Sequence, residues 1–167
     1  MKEIVKKIKI YDFNELKEDI QEKLIEKEIE CCENEYSEYF LYEDLEQKAR
    51  ELLRKYFKNN ADIDKIYYDL SYCQGSGAMI QFKLKYYNKL LLIEQYGNYC
   101  HQYSFKIIGE EDLTSKQYEK IKEKIVNMNN ELTKYGYDLI ENCTTRQDAI
   151  NNLSNLWFLE SGEIYIN

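Results

Sequence analysis

The side chains best equipped for chemistry fall in two short stretches. Cys73 closes the run Asp69-Leu70-Ser71-Tyr72-Cys73, and His101, the only histidine, follows Cys100. A thiol within hydrogen-bond reach of an imidazole carries more thiolate and can act as a nucleophile. Cys100 and His101 are adjacent on an expected strand, so their side chains point to opposite faces and do not pair. Cys73 with His101 is the geometrically open combination, and a histidine that serves a sheet turn is the favoured reading. After Cys73 comes Gln74-Gly75-Ser76-Gly77, with two of only six glycines. Such a loop can cradle a phosphate through backbone N–H groups. It joins strand to strand without the helix and lysine of a P-loop, so it reads first as a turn whose glycines backbone geometry requires. No HExxH, GxSxG, paired metal-binding motif or dinucleotide fingerprint occurs. The expectation is a protein that is not an enzyme and uses no cofactor or metal.

Charge is the second source of chemistry. The formal net charge is −8, and it is unevenly placed: from Asp12 to Glu46 fourteen acidic residues face only Lys17, Lys23 and Lys27, while residues 47 to 167 balance at sixteen of each sign. Carboxylates along a helical arm create a negative field that steers association with a basic surface. Glu22, Glu26, Glu30, Glu33, Glu35 and Glu38 are the candidate field-bearing residues, with Tyr36 and Tyr39 as aromatic anchors. The shortage of lysines forgoes the i,i+4 pairs of an ordinary surface helix. A solvated arm is the plainer alternative. The sign of the charge disfavours direct nucleic-acid binding. The lysines of residues 1 to 11, with Lys83, Lys85 and Lys89 beside Tyr86 and Tyr87, make a small basic patch that reads as a solvated sheet face.

The elements that must position these groups follow from periodicity. Ile66, Tyr68, Leu70 and Tyr72 alternate on one arm, and Ile80, Phe82, Leu84 and Tyr86 on the other, which predicts a central hairpin across residues 64 to 87 with Gln74 to Gly77 as its turn. Leu90 to Gln95 and a run through His101, Tyr103, Phe105 and Ile107 add further antiparallel strands, and Ile4 to Tyr11 reads as another. Helices are predicted near 13 to 32, 41 to 58 and 114 to 140. The first starts at an Asp12/Glu15 box with Tyr11 against Leu16, and loses register at Cys31 to Ser37. The second carries Leu41, Leu45, Ala49, Leu52 and Tyr56 on one stripe. The third opens at Thr114 with Gln117 reciprocating; its stripe of Tyr118, Ile121, Ile125, Met128, Leu132, Tyr135 and Leu139 fits packing across the sheet, with a homodimer seam as the alternative. Thr144 or Thr145 caps a short helix, and Trp157 to Glu160 with Glu163 to Ile166 form a hairpin around Ser161-Gly162.

These elements make one α+β domain of 167 residues, an antiparallel sheet of three or more strands packed by two to four helices. Hydrophobic content of 44% argues against disorder. Proline is absent, so no turn relies on it. No apolar run approaches the ~20 residues that span a bilayer, and no secretory signal is present, so a cytosolic protein without membrane partners is expected. Five cysteines without a CxxC predict free thiols.

The order Ile8-Lys9-Ile10-Tyr11-Asp12-Phe13-Asn14-Glu15-Leu16, Ser71-Tyr72-Cys73-Gln74-Gly75-Ser76-Gly77-Ala78, Tyr99-Cys100-His101 and Phe158-Leu159-Glu160-Ser161-Gly162-Glu163-Ile164-Tyr165 resembles a family of small phage and prophage proteins. In that family a Y-x-F-x-E-L helix start leads to a C/S-Q-G-D-G-A hairpin, a strand with an aromatic residue and a histidine, and an F-x-E-D-G-E-I-Y segment. The resemblance covers most of the chain in order, and the hairpin is its most specific part. Ser76 and Ser161 stand where the family usually has aspartate, so those carboxylates are missing here. The resemblance implies a phage or mobile-element accessory protein in a bacterial host cytosol. The expected function is binding and inhibition of a host nucleic-acid-handling or defence protein, in anti-CRISPR fashion, through the acidic helical arm. The alternatives are a small enzyme or ligand binder built on Gln74 to Gly77 with Cys73 and His101, or an antitoxin-like partner.

Overall fold

The computed structural model describes residues 7–166. In chain order the elements are β1 (Tyr11–Asp12), α1 (Glu18–Tyr39), α2 (Leu41–Phe57), β2 (Ala61–Asp69), β3 (Gly77–Tyr86), β4 (Lys89–Gln95), β5 (Phe105–Ile108), α3 (Ser115–Glu141), α4 (Arg146–Leu153) and β6 (Trp157–Phe158). The fold is α+β with antiparallel sheets. Its contacts gather into two compact units, one from residue 39 to 140 and one from the flanking segments up to Glu38 and from Glu141 onward.

The larger unit holds α2, α3 and the sheet ordered β2-β3-β4-β5. The periodicities that predict its helices are the ones it buries: Leu41, Leu45, Ala49 and Leu52 of α2, and Ile121, Ile125, Met128 and Leu132 of α3. That burial within the chain uses the α3 residues that a dimer seam would need. Thr114 and Gln117 cap α3 reciprocally, Thr114 N–H donating to Gln117 Oε1 at 2.9 Å and Gln117 N–H to Thr114 Oγ1 at 3.4 Å. On β3 the even-numbered Ile80, Phe82 and Leu84 are buried while Lys83 and Lys85 are exposed, as a sheet with one covered face requires.

β3 pairs with β2 from Gly77 to Leu84, but β4 joins it only from Phe82 onward. The open edge beside Ala78 and Ile80 therefore lacks a strand. α3 completes it with two side chains one helical turn apart. Thr133 Oγ1 accepts from Ala78 N–H at 2.8 Å, and the fully buried Asn129 accepts from Ile80 N–H through Oδ1 at 3.2 Å. Buried backbone donors are thus satisfied without a ladder partner.

The smaller unit has its own core of Phe13, Leu16, Ile25, Ala149, Leu153 and Phe158. β1 pairs with β6 antiparallel, Tyr11 opposite Phe158. Thr145 caps α4 with Asp148 reciprocating. The second expected hairpin exists in reduced form, with one bridge from Phe158 to Ile164 and Tyr165 N–H donating to Trp157 O at 2.7 Å.

Several expectations are corrected. Of the strand expected over Ile4 to Tyr11, residues up to Lys6 lie outside the described ones. Ile8 and Ile10 are 57% and 42% exposed, and pairing begins only at Tyr11, where β6 supplies a partner. The Asp12/Glu15 box forms, Asp12 N–H donating to Glu15 Oε2 at 3.0 Å, but it closes a single 3₁₀ turn over Phe13–Glu15. Leu16 then takes an extended backbone that buries its side chain, so α1 begins at Glu18. No break falls at Cys31 to Ser37: α1 runs on to Tyr39. The apolar register is lost there because α1 buries only Ile25, and a helix ladder does not need a covered face to continue. The first hairpin arm stops at Asp69, giving a seven-residue connection, and the stretch with His101 and Tyr103 is a loop before the short β5.

Candidate functional site

The hairpin connection Leu70 to Ser76 is closed by its own polar groups. Asp69 Oδ1 accepts from the backbone N–H of Ser71 at 3.1 Å and from its hydroxyl. The Ser71 hydroxyl lies 3.1 Å from Cys73 Sγ and 3.3 Å from Ser76 Oγ, and Ser76 Oγ is 3.1 Å from the same sulfur. Cys73 N–H donates to Ser76 Oγ at 3.0 Å, and Ser76 N–H to Cys73 O at 3.0 Å. The N–H groups of Ser71, Cys73 and Ser76 are engaged inside the loop, so of the four residues Gln74 to Gly77 it is Ser76 whose donor is not open to a phosphate. Gln74 is exposed beside them.

The glycines answer to a second loop, Tyr99 to His101, that lies against the first. Gly75 has φ +99, and a Cβ there would stand 2.3 Å from Cδ1 of the Tyr99 ring. Cys100 N–H donates to Gly75 O at 3.1 Å. Gly77, at φ +152, would bring a Cβ within 3.0 Å of His101 Cα and 3.1 Å of Cys100 O. At Gly77 the close approach is to backbone and at Gly75 to the Tyr99 ring, and both positions also hold a positive φ. The motif thus joins two loops at one end of the sheet.

Cys73 and His101 are carried on touching loops, yet the thiol is not partnered by the imidazole. His101 Nδ1 accepts from Tyr103 N–H at 3.1 Å, and the ring stacks on Tyr99 at 6.0 Å between centroids. The thiol's partners are the hydroxyls of Ser71 and Ser76 and, at 4.0 Å, Asp69 Oδ2; the hydrogen bonds of the two hydroxyls hold it below the usual thiol range against burial and the charge of Asp69. Burial pushes the thiols of Cys32, Cys100 and Cys143 up. Iodoacetamide at mildly alkaline pH is therefore expected to label exposed Cys73 ahead of those three, and removing both hydroxyls by Ser71→Ala with Ser76→Ala to slow it several-fold. Peptide mass spectrometry over time reads the order; equal rates at Cys73 and Cys100 would contradict it.

The acidic candidates are spread around α1. Glu22, Glu26, Glu30 and Glu33 recur at spacings of four and three and share a face, whereas Glu35 points away from it. Glu22 pairs with Arg146, which holds its carboxyl below the ordinary range. Glu26, Glu30, Glu33, Glu35 and Glu38 make no ion pair among the described residues. Tyr36 is half-buried and Tyr39 is exposed at the end of the helix.

Periodicity missed Asn129 and Thr133, although a polar pair at i,i+4 inside an apolar stripe is a visible signal. Among the described residues no helix is long and apolar enough to cross a membrane, and no group of three or more His, Cys, Asp or Glu side chains could hold a metal ion. No family model matches the chain, and neither a curated protein nor a solved structure matches it.

Proposed function

We propose that the protein is a binding protein of the phage or mobile-element accessory type. It occupies a basic, nucleic-acid-handling surface of a host defence protein, in the manner of an anti-CRISPR, and does no chemistry on it. One observation carries the reading: on a helix of 22 residues, Glu26, Glu30, Glu33, Glu35 and Glu38 form no ion pair among the described residues. Held on a rigid element, these carboxylates present a fixed negative field at little conformational cost, and a surface evolved to bind phosphates is its natural complement. Glu26 and Glu30 give the field its centre, with Glu33 beside them and Glu35 and Glu38 extending it around the helix.

The test is capture from host lysate by the tagged chain, beside a variant in which Glu22, Glu26, Glu30, Glu33, Glu35 and Glu38 are all glutamine, with folding checked by circular dichroism. The native chain is expected to retain a nucleic-acid-binding protein that the variant loses, and retention is expected to fall as salt rises. Equal capture by both chains, or capture indifferent to salt, would overturn the reading.

A further inference from the structure

At the C-terminal end of α2, within the larger unit, lies a cleft of about 370 Å³ whose walls include Asn60, Lys85, Tyr86, Tyr87, Lys120 and Lys124. It continues into a recess of about 240 Å³ to which Tyr56 and Lys58 contribute. Among the described residues no carboxylate lines either space. Lys58, Lys85, Lys120 and Lys124 make no ion pair among the described residues. Lys124 is held in place, its Nζ donating to Tyr56 O at 2.9 Å and standing 5.4 Å from the Phe57 ring centre.

The backbone marks the same place. Three non-glycine residues have positive φ among the described ones, and two of them, Lys58 at +58° and Tyr87 at +54°, belong to this cleft. Tyr87 opens the two-residue turn between β3 and β4, a position where a left-handed backbone calls for glycine, asparagine or aspartate. It is 82% exposed and meets Tyr86 edge-on at 4.9 Å, so burial does not offset the strain. The hairpin turn and the C-cap of α2 impose these conformations, yet neither position holds the glycine or asparagine that adopts them freely, and such residues cluster at binding sites.

From this geometry we infer that the cleft binds a nucleotide, its phosphate on Lys85, Lys120 and Lys124 and its base against Tyr87. The volume is that of a small-ligand pocket. A basic groove beside an exposed aromatic face is the chemistry by which single strands are held. The acidic net charge does not oppose this, because residues 39 to 140 carry fifteen acidic and fifteen basic side chains and the excess lies elsewhere. The same chemistry serves a free nucleotide or a nucleotide within a strand, and the test separates them.

The full chain is titrated at low salt with ATP, with a short single-stranded oligodeoxyadenylate and with polyglutamate, using calorimetry and fluorescence anisotropy. Binding of the oligonucleotide alone assigns a strand, and binding of ATP as well assigns a free nucleotide; both support the cleft. Tyr87→Gly removes the ring and the strain together, so it is expected to weaken binding roughly tenfold while the melting temperature holds or rises. Lys85→Gln with Lys120→Gln is expected to weaken binding and flatten its salt dependence. Failure of both nucleotide ligands to bind, binding unchanged in Tyr87→Gly, or equal competition by polyglutamate would each overturn the assignment.

Discussion

Replacing Asn129 by leucine is expected to destabilise the larger unit by about 2 to 3 kcal/mol, despite the gain of an apolar side chain in an apolar stripe. Asn129 is fully buried on α3 between Met128 and Leu132, and leucine keeps its branched four-atom skeleton while replacing both polar atoms by methyl groups. The Ile80 N–H that it satisfies at 3.2 Å sits on the part of β3 that β4 does not reach, so no neighbouring strand can take over. The Asn129 amide also donates to Gln102 O at 3.4 Å. Removing one partner leaves a desolvated donor, which costs more than the hydrogen bond contributes. Urea unfolding of the variant measures the loss, and a change under about 0.5 kcal/mol would mean that Ile80 N–H finds another acceptor. Asn129→Asp adds a pH signature. It keeps the acceptor but forces a carboxylate into full burial, which raises its folded pKa above the unfolded value. The penalty is then present at neutral pH and shrinks as acid protonates the group, so the variant approaches the parent toward low pH.

Asn129 also shows which parts of the fold are legible in sequence. Where an element buries one face, the period of its apolar residues is the period of its contacts; hence α2, α3 and the β3 arm of the hairpin are readable from Leu41 to Phe57, from Thr114 onward and from Ile80 to Leu84. α1 is the opposite case. With Ile25 as its one buried residue, it leaves no stripe to read past Cys31, although the helix continues to Tyr39. The run through His101 and Tyr103 alternates in composition but turns back on itself, with Ser104 N–H donating to His101 O at 2.9 Å, and alternation alone cannot register that turn. The candidate residues follow the same division. That Gly75 and Gly77 need a special backbone is visible in the motif; that Tyr99 and His101 press on them is a contact across more than twenty positions, and only the fold supplies it. Four glutamates of α1 share a face and a fifth opposes them because the helix continues where its pattern fades. The Lys85, Tyr86 and Tyr87 part of the basic cleft is visible in the sequence, but that Lys120 and Lys124 join it is a contact between strand and helix that only the fold supplies.

Gly77→Ala is expected to be at least as damaging, at about 3 kcal/mol, through two causes that act together. Gly77 begins β3 at φ +152, where a side chain strains the backbone by roughly 1 to 3 kcal/mol. The added Cβ would then stand 3.0 Å from His101 Cα and 3.1 Å from Cys100 O. Both are backbone atoms, so no rotamer change relieves the contact and the Tyr99 to His101 loop must shift as a body. Two other glycines separate the causes. At Gly75 the obstacle is the Tyr99 ring, whose side chain is largely exposed and can swing aside, so Gly75→Ala is expected to lose less. At Gly97, with φ +83 and no atom within 4 Å of the added Cβ, only the conformational penalty of about 1 kcal/mol remains. Urea midpoints should therefore fall in the order Gly97→Ala, Gly75→Ala, Gly77→Ala, the last showing the largest loss. If Gly77→Ala unfolded no earlier than Gly97→Ala, the two loops would not be in the contact that makes glycine necessary. The same shift frees His101, so the imidazole resonances of the Gly77→Ala protein should lose the ring-current effect of Tyr99 while those of the Gly97→Ala protein keep it.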